Sequence, residues 1–187
     1  AMGKIVAAPT AAASGVLPGT LLQCGKQRGW DDDTLIMGLF AGAAVGMLIA
    51  RNAGISGAGG GCQAETGAAA SMAAAALAQC AGGTPLVCLH AAAMAVKNVL
   101  GLVCDPVAGL VECPCIKRNA MGAANALLCA DMALCGIQSY IPFDEVVWAM
   151  HQVGRTMHAD LRETARGGQA ATPTGRALQK RLQLDLE

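Results

Sequence analysis

Cysteine is the residue type with the most obvious chemistry in this 187-residue chain, which holds nine. An odd count, in a long and apolar chain with no signal-peptide pattern before it, points away from a secreted disulfide framework. Cys24, Cys80, Cys88, Cys129 and Cys135 sit in apolar runs, where a free thiol packs as a small hydrophobe. Cys62, Cys104, Cys113 and Cys115 sit instead among glycines and prolines. Cys104 follows Cys62 by 42 residues and Cys115 follows Cys104 by 11. Cys62, Cys104 and Cys115 are each expected at a helix boundary, where unpaired backbone N–H groups can bond sulfur and stabilise a thiolate. Structural zinc sites favour four ligands with C-x-x-C pairs. No such pair occurs, and the tight pair present is Cys113-Pro114-Cys115. His90, His151 and His158 are read as helix-surface or satisfied core residues. Three separated thiolates suggest a 4Fe–4S cluster with one iron left open.

The elements that must hold these thiols read as helices. Alanine-rich segments predict a compact all-α domain of six or seven helices with two Gly/Pro loops carrying the cysteines. Asp31, Asp32 and Asp33 cap a helix from about Thr34 to Arg51. A loop, NAGISGAGGGCQAE, follows and delivers Cys62. Further helices are predicted from about Thr66 to Cys80, Pro85 to Leu100, Ala120 to Cys135 and Pro142 to Gly154. Thr84 and Pro85 open the second of these. The stretch 101–122 is loop-like and carries Cys104, Cys113 and Cys115. Residues 3–10 read as a short extended segment, and the tail beyond Ala159 as polar, with a turn at ATPTG.

Composition narrows the function. Thirteen basic and thirteen acidic residues give zero formal charge, which leaves no excess to attract nucleic acid or an anionic membrane. Three per cent aromatic residues leave little to stack on bases. Thr34 to Ala50 is uncharged and reaches the lower limit of a membrane span, with Gly38, Gly42 and Gly46 in G-x-x-x-G spacing. It is read as a buried core helix whose glycine face meets another backbone.

At the cysteine loops the chain resembles the α-domain of iron–sulfur-dependent L-serine dehydratases. The segments that carry the resemblance are GKIVAAPT (3–10), SGVLPG (14–19), RNAGISGAGGGCQAE (51–65), KNVLGLVCDPVAGLVECPCIKRNAMGAANAL (97–127), IPFDEV (141–146) and RETARGGQAATPTG (162–175). They span nearly the whole chain, and the VCDPVAGLVE-x-PCIKRN run is the most specific of them. The resemblance implies that Cys62, Cys104 and Cys115 ligate the cluster. Cys113 falls where the family often has an apolar residue, Gly59 where an acidic residue is common and Ala12 where a glycine is common.

The function so implied is dehydration and deamination of L-serine to pyruvate and ammonia in amino-acid degradation. The open iron acts as a Lewis acid on the β-hydroxyl, and no pyridoxal phosphate is needed. Lys117, Arg118 and Asn119, directly after Cys115, are candidates to hold the substrate carboxylate, against the alternative of a charged helix start. Ser14, Thr10 and Asn125 are further polar candidates for substrate binding or backbone capping. No general base stands out. The resemblance also implies further residues before the GKIVAAPT segment and a β-domain or β-chain as partner in a homo- or hetero-oligomer. Residues 1–187 then form one cluster-binding domain of a longer chain, inactive alone, in a reducing cytoplasm without membrane or nucleic-acid contact. The competing readings are a cysteine desulfidase of the same superfamily, a non-catalytic helical membrane or interaction module, and a fragment that keeps the fold without the cluster.

Overall fold

The structure is a computed structural model that describes residues 6–184. Among these, eight α-helices form: α1 (Val16–Arg28), α2 (Asp32–Asn52), α3 (Gly57–Gly60), α4 (Ala68–Cys80), α5 (Pro85–Lys97), α6 (Cys115–Leu134), α7 (Phe143–Thr156) and α8 (Pro173–Leu184). No strand is present among the described residues, as the all-α expectation required. Of the segment read as extended, residues 3–5 lie outside the described residues and residues 6–10 form no regular element.

Helix α4 is the centre, with α1, α2, α5 and α6 packed around it. Twelve of its thirteen residues are buried, eight of them alanine. A helix apolar on every side has nowhere to go but a core. Its one buried hydroxyl, Ser71, donates to the Ala92 carbonyl of α5 at 3.0 Å, so it costs little. The helix starts behave as read: the Asp31 carboxylate accepts from the Thr34 N–H at 2.9 Å, and the Thr84 hydroxyl accepts from the Val87 N–H ahead of α5.

Gly38, Gly42 and Gly46 line the face of α2 that meets α4. A Cβ at Gly42 would stand 3.0 Å from the Met72 carbonyl oxygen, and one at Gly38 would collide with the Cys80 sulfur. The backbone approach anticipated for this helix is therefore real. The rest of that expectation is corrected, because only five of the 21 residues of α2 are buried. A glycine strip makes a close but narrow contact and leaves the broad apolar remainder outside. Among the described residues, α2 alone is long and apolar enough to cross a membrane, by length and composition.

Three further expectations change. Cys24, Cys80, Cys88 and Cys129 are buried as read, but Cys135 is exposed at the end of α6. Helix α6 begins at Cys115 and not near Ala120, since Pro114 ends the loop and lets the following residues turn at once. The tail is not merely polar: α8 forms there, with the Thr172 hydroxyl accepting from the Gly175 N–H at 3.1 Å.

Candidate functional site

Three segments converge on one end of α4. The first is the glycine loop between α2 and α4. Gly61 has φ +76°, and a Cβ there would stand 2.8 Å from the Leu102 carbonyl oxygen, so the chain needs glycine at this bend. Cys62 follows, 1% exposed, with its Sγ 3.2 Å from the Thr66 hydroxyl. Residues Gln63–Gly67 form one wide π turn into α4, a distortion that recurs at functional sites. The Gln63 amide is fully buried and spans two elements: it donates to the Met150 carbonyl of α7 and accepts from the Gly101 N–H, both at 2.9 Å.

The second segment carries Cys104, 3% exposed. Its N–H donates to the Leu161 carbonyl and its carbonyl accepts from the Glu163 N–H, each at 2.8 Å. This isolated parallel bridge pairs Cys104 with Arg162 and folds residues 158–168 over the loop. The third segment is the start of α6, whose first residue is Cys115, 4% exposed. Strain gathers at these segments: Ala108, Glu163 and Ala165 are non-glycine residues at φ 55°, 64° and 54°.

Cys62 acts on both of the other thiols. Burial pushes the Cys104 thiol far up, and the neighbouring Cys62, Glu65, Glu163 and Cys115 raise it further. Burial pushes Cys115 up to about 11, with Cys62 and Glu65 adding to the rise and the Arg118 guanidinium opposing it. Glu65 belongs to the same group. Its Oε2 and the Cys104 Sγ lie 2.8 and 2.9 Å from where a Cβ on Gly57 would be, so Gly57 leaves room for both. Burial raises the Glu65 carboxyl and Glu163 adds to this, while the nearby Thr10 hydroxyl lowers it. The Thr10 oxygen is itself buried without a well-formed hydrogen bond.

Three buried thiols beside a carboxyl crowd potential negative charge into a low-dielectric pocket, which favours a bound cationic centre. Among the described residues, no three His, Cys, Asp or Glu side chains close around a single metal ion. An iron–sulfur cluster places its ligands on different irons, with inorganic sulfide filling the space between them. The donor set of separated, buried thiols suits that group better than one ion.

The polar candidates separate. Arg118 sets its Nη1 2.9 Å from the Asp105 carboxylate and donates to the Val103 carbonyl at 2.8 Å. Asn119 donates to the Ala12 and Cys115 carbonyls and accepts from the Gly15 N–H, which spends its amide on backbone. Ser14 is half-buried in the turn that Asn119 anchors, next to Gly15. Lys117 is exposed and lines a cavity of about 610 Å³ with Cys113, Ile116 and Arg181. Asn125 lies between α5 and α6, donating to the Ala95 carbonyl and accepting from Asn98. The structure thus gathers Cys62, Cys104 and Cys115 with Thr10. It takes Lys117 to an outer face and Asn125 to a helix interface.

Sequence reasoning missed Glu65 and the strut built on Asp105. Asp105 is 2% exposed. It faces Arg118 on one oxygen and accepts from the Gln169 N–H at 2.8 Å on the other. Gly168, at φ +58°, packs directly on it. An acidic residue beside Cys104 in an otherwise apolar stretch was the available signal.

The chain is similar to known proteins. The family model described as serine dehydratase alpha chain matches residues 1–170. A probable L-serine dehydratase alpha chain of Bacillus subtilis (strain 168) is 58% identical over 97% of this chain and 61% of its own length. One from Latilactobacillus sakei is 55% identical over 97% of this chain and 87% of its own length. The L-serine dehydratase alpha chain of Peptoniphilus asaccharolyticus is 50% identical over 96% of this chain. The chain spans 61% of the length of the Bacillus and Peptoniphilus relatives. With a family match over most of its residues, this chain belongs to the serine dehydratase alpha chain family.

Proposed function

We propose that this chain is the cluster-binding domain of an L-serine dehydratase, converting L-serine to pyruvate and ammonia, and that Cys62, Cys104 and Cys115 hold a 4Fe–4S cluster. The observation that carries the reading is the convergence of three buried thiols on one end of α4, where Cys62 raises the proton affinity of both Cys104 and Cys115. A cluster with one iron not ligated by protein supplies Lewis acidity toward a substrate hydroxyl when bound.

The chain's own residues do the rest. The Asp105–Arg118 pair fixes the Cys104 loop against the start of α6, which holds Cys115 at a set distance. The Leu161 carbonyl and Glu163 N–H clamp the backbone of Cys104 from its other side. Buried Gln63 keeps the turn after Cys62 from relaxing. Glu65, beside Cys104, is placed to hold a proton next to the thiols, and the buried Thr10 hydroxyl lies beside its carboxyl. A β-chain or β-domain completes the site and works in a reducing cytoplasm, consistent with free, buried ligand thiols.

The test is turnover. The chain, reconstituted anaerobically with iron and sulfide and mixed with a family β-chain, is expected to release pyruvate from L-serine. Release should exceed that from L-cysteine by at least tenfold. A cluster-loaded mixture that yields pyruvate from L-cysteine and none from L-serine would overturn the substrate assignment.

A further inference from the structure

Two acidic side chains are buried among the described residues, those of Glu65 and Asp105. A carboxylate taken out of water needs a cation or several hydrogen bonds to stay charged there. Asp105 has both, in the Arg118 guanidinium and the Gln169 N–H. Glu65 is 7% exposed and forms no ion pair among the described residues. The Thr10 hydroxyl and Glu163, which act on it, bring no positive charge. Its placement is nevertheless specific. It lies in the wide π turn Gln63–Gly67, next to the loop that holds Gly57. A Cβ on Gly57 would stand 2.8 Å from the Glu65 Oε2 and 2.9 Å from the Cys104 Sγ. An unpaired carboxyl oxygen and a thiol proposed as a cluster ligand therefore border one small space that glycine keeps open.

The cation missing from this space must be small and must belong to the chemistry at the thiols. L-Serine carries such a group. Its hydroxyl and its ammonium sit on adjacent carbons, so a hydroxyl that reacts beside the thiols brings the ammonium with it. Of its three polar groups, only the ammonium is drawn to a carboxylate. We infer that Glu65 receives the α-ammonium of the substrate, with the Thr10 hydroxyl orienting the carboxyl, so that the site selects β-hydroxy amino acids over β-hydroxy acids that lack the amine. The inference rests on the serine dehydratase reading and adds to it the recognition of the amine. The burial that favours a proton on Glu65 in the free protein equally favours a cation that arrives with the substrate. A basic side chain of a partner that reached Glu65 would have to enter the same thiol-lined space and take the substrate's place. Glu163 is exposed, and water screens its charge.

The full chain, loaded anaerobically with iron and sulfide, tests this through the ligand concentration that half-shifts its electron paramagnetic resonance signal after reduction. L-Serine is compared with 3-hydroxypropanoate, which keeps the hydroxyl and the carboxylate and lacks the amine. Wild type is expected to need roughly tenfold less L-serine than 3-hydroxypropanoate. Glu65→Gln, close in shape but uncharged, should raise the L-serine midpoint about tenfold or more, as expected for losing a charge-assisted hydrogen bond. Its midpoint for 3-hydroxypropanoate should stay within about twofold, since that ligand has no group for the carboxylate to hold. Its iron content should match the wild type. Glu163→Gln, at an exposed position, should move neither midpoint by more than about twofold. An unchanged L-serine midpoint in Glu65→Gln would overturn the inference and leave the cluster reading standing. So would an equal weakening of both ligands, or loss of iron from Glu65→Gln, which would make Glu65 part of how the thiols are held. A wild type that keeps no iron overturns the cluster reading and the inference together, and a loaded wild type whose signal ignores L-serine overturns the substrate assignment and the inference together.

Discussion

Cys104→Ala is expected to leave the chain unable to keep iron. After anaerobic reconstitution and desalting, iron should fall from about four per chain to below one, and the visible thiolate-to-iron absorption should vanish. Cys62→Ala and Cys115→Ala should behave alike, because each removes one of three ligands and the cluster has no fourth protein thiol to fall back on. The contrast lies in Cys113→Ala and Cys135→Ala. Both thiols are exposed, and neither is among the groups that raise Cys104 or Cys115. These two variants should load iron like the wild type. Loss of iron in Cys113→Ala with retention in Cys115→Ala would move the ligand by two residues and contradict the assignment.

The second large effect is expected at a residue that touches no iron. The Asp105 side chain is 3% exposed and that of Arg118 13%, and their 2.9 Å contact joins the Cys104 loop to the helix that begins at Cys115. Removing one partner of such a pair leaves a charge buried without compensation, which costs about 3–5 kcal/mol. Asp105→Ala also orphans the Gln169 N–H and loosens the segment that covers Cys104. Denaturant unfolding of the metal-free protein should show that loss. Asp105→Ala together with Arg118→Met should cost less than the two single changes combined, since the pair is removed as a unit. Iron retention should fall with Asp105→Ala although no ligand is altered. Lys117→Ala, one residue from Arg118 but exposed on the outer face, should change stability by no more than about 0.5 kcal/mol. Equal effects at Lys117 and Asp105 would remove the strut from the account of how the thiols are held.

Sequence carried the fold where local chemistry was unambiguous. The Asp31 cap, the Thr84-Pro85 start and the alanine-rich surface of α4 each leave one physical outcome, and each was found. The face of α2 that would be buried was half legible. Glycine spacing marked the side that meets α4, but the apolar residues on the other side carry no periodic polar signal to show that they stay outside. Helix α8 was missed because Thr172-Pro173 reads equally well as a turn and as a cap with proline at the first helical position. The three thiols proposed as ligands were singled out from motif and loop context together, and the structure buries all three.

The residues around the thiols were less so, for a geometric reason. Lys117, Arg118 and Asn119 are consecutive, and the sequence reading treated them as one cluster. On a helix, successive side chains point about 100° apart. With α6 starting at Cys115, Lys117 faces the outer cavity, Arg118 reaches Asp105 and Asn119 reaches the Ser14 turn. Placing the helix start five residues late hid that divergence. Glu65 was hidden similarly: in a presumed loop it had no direction, whereas the π turn after Cys62 aims it at Cys104.

The most direct measurement is metal analysis of the wild-type chain after anaerobic reconstitution with iron and sulfide, with electron paramagnetic resonance of the dithionite-reduced sample. About four irons and four sulfides per chain are expected, with a cluster signal that shifts when L-serine is added. A desalted protein that keeps a single ion, or no iron at all, would contradict the three-thiol cluster.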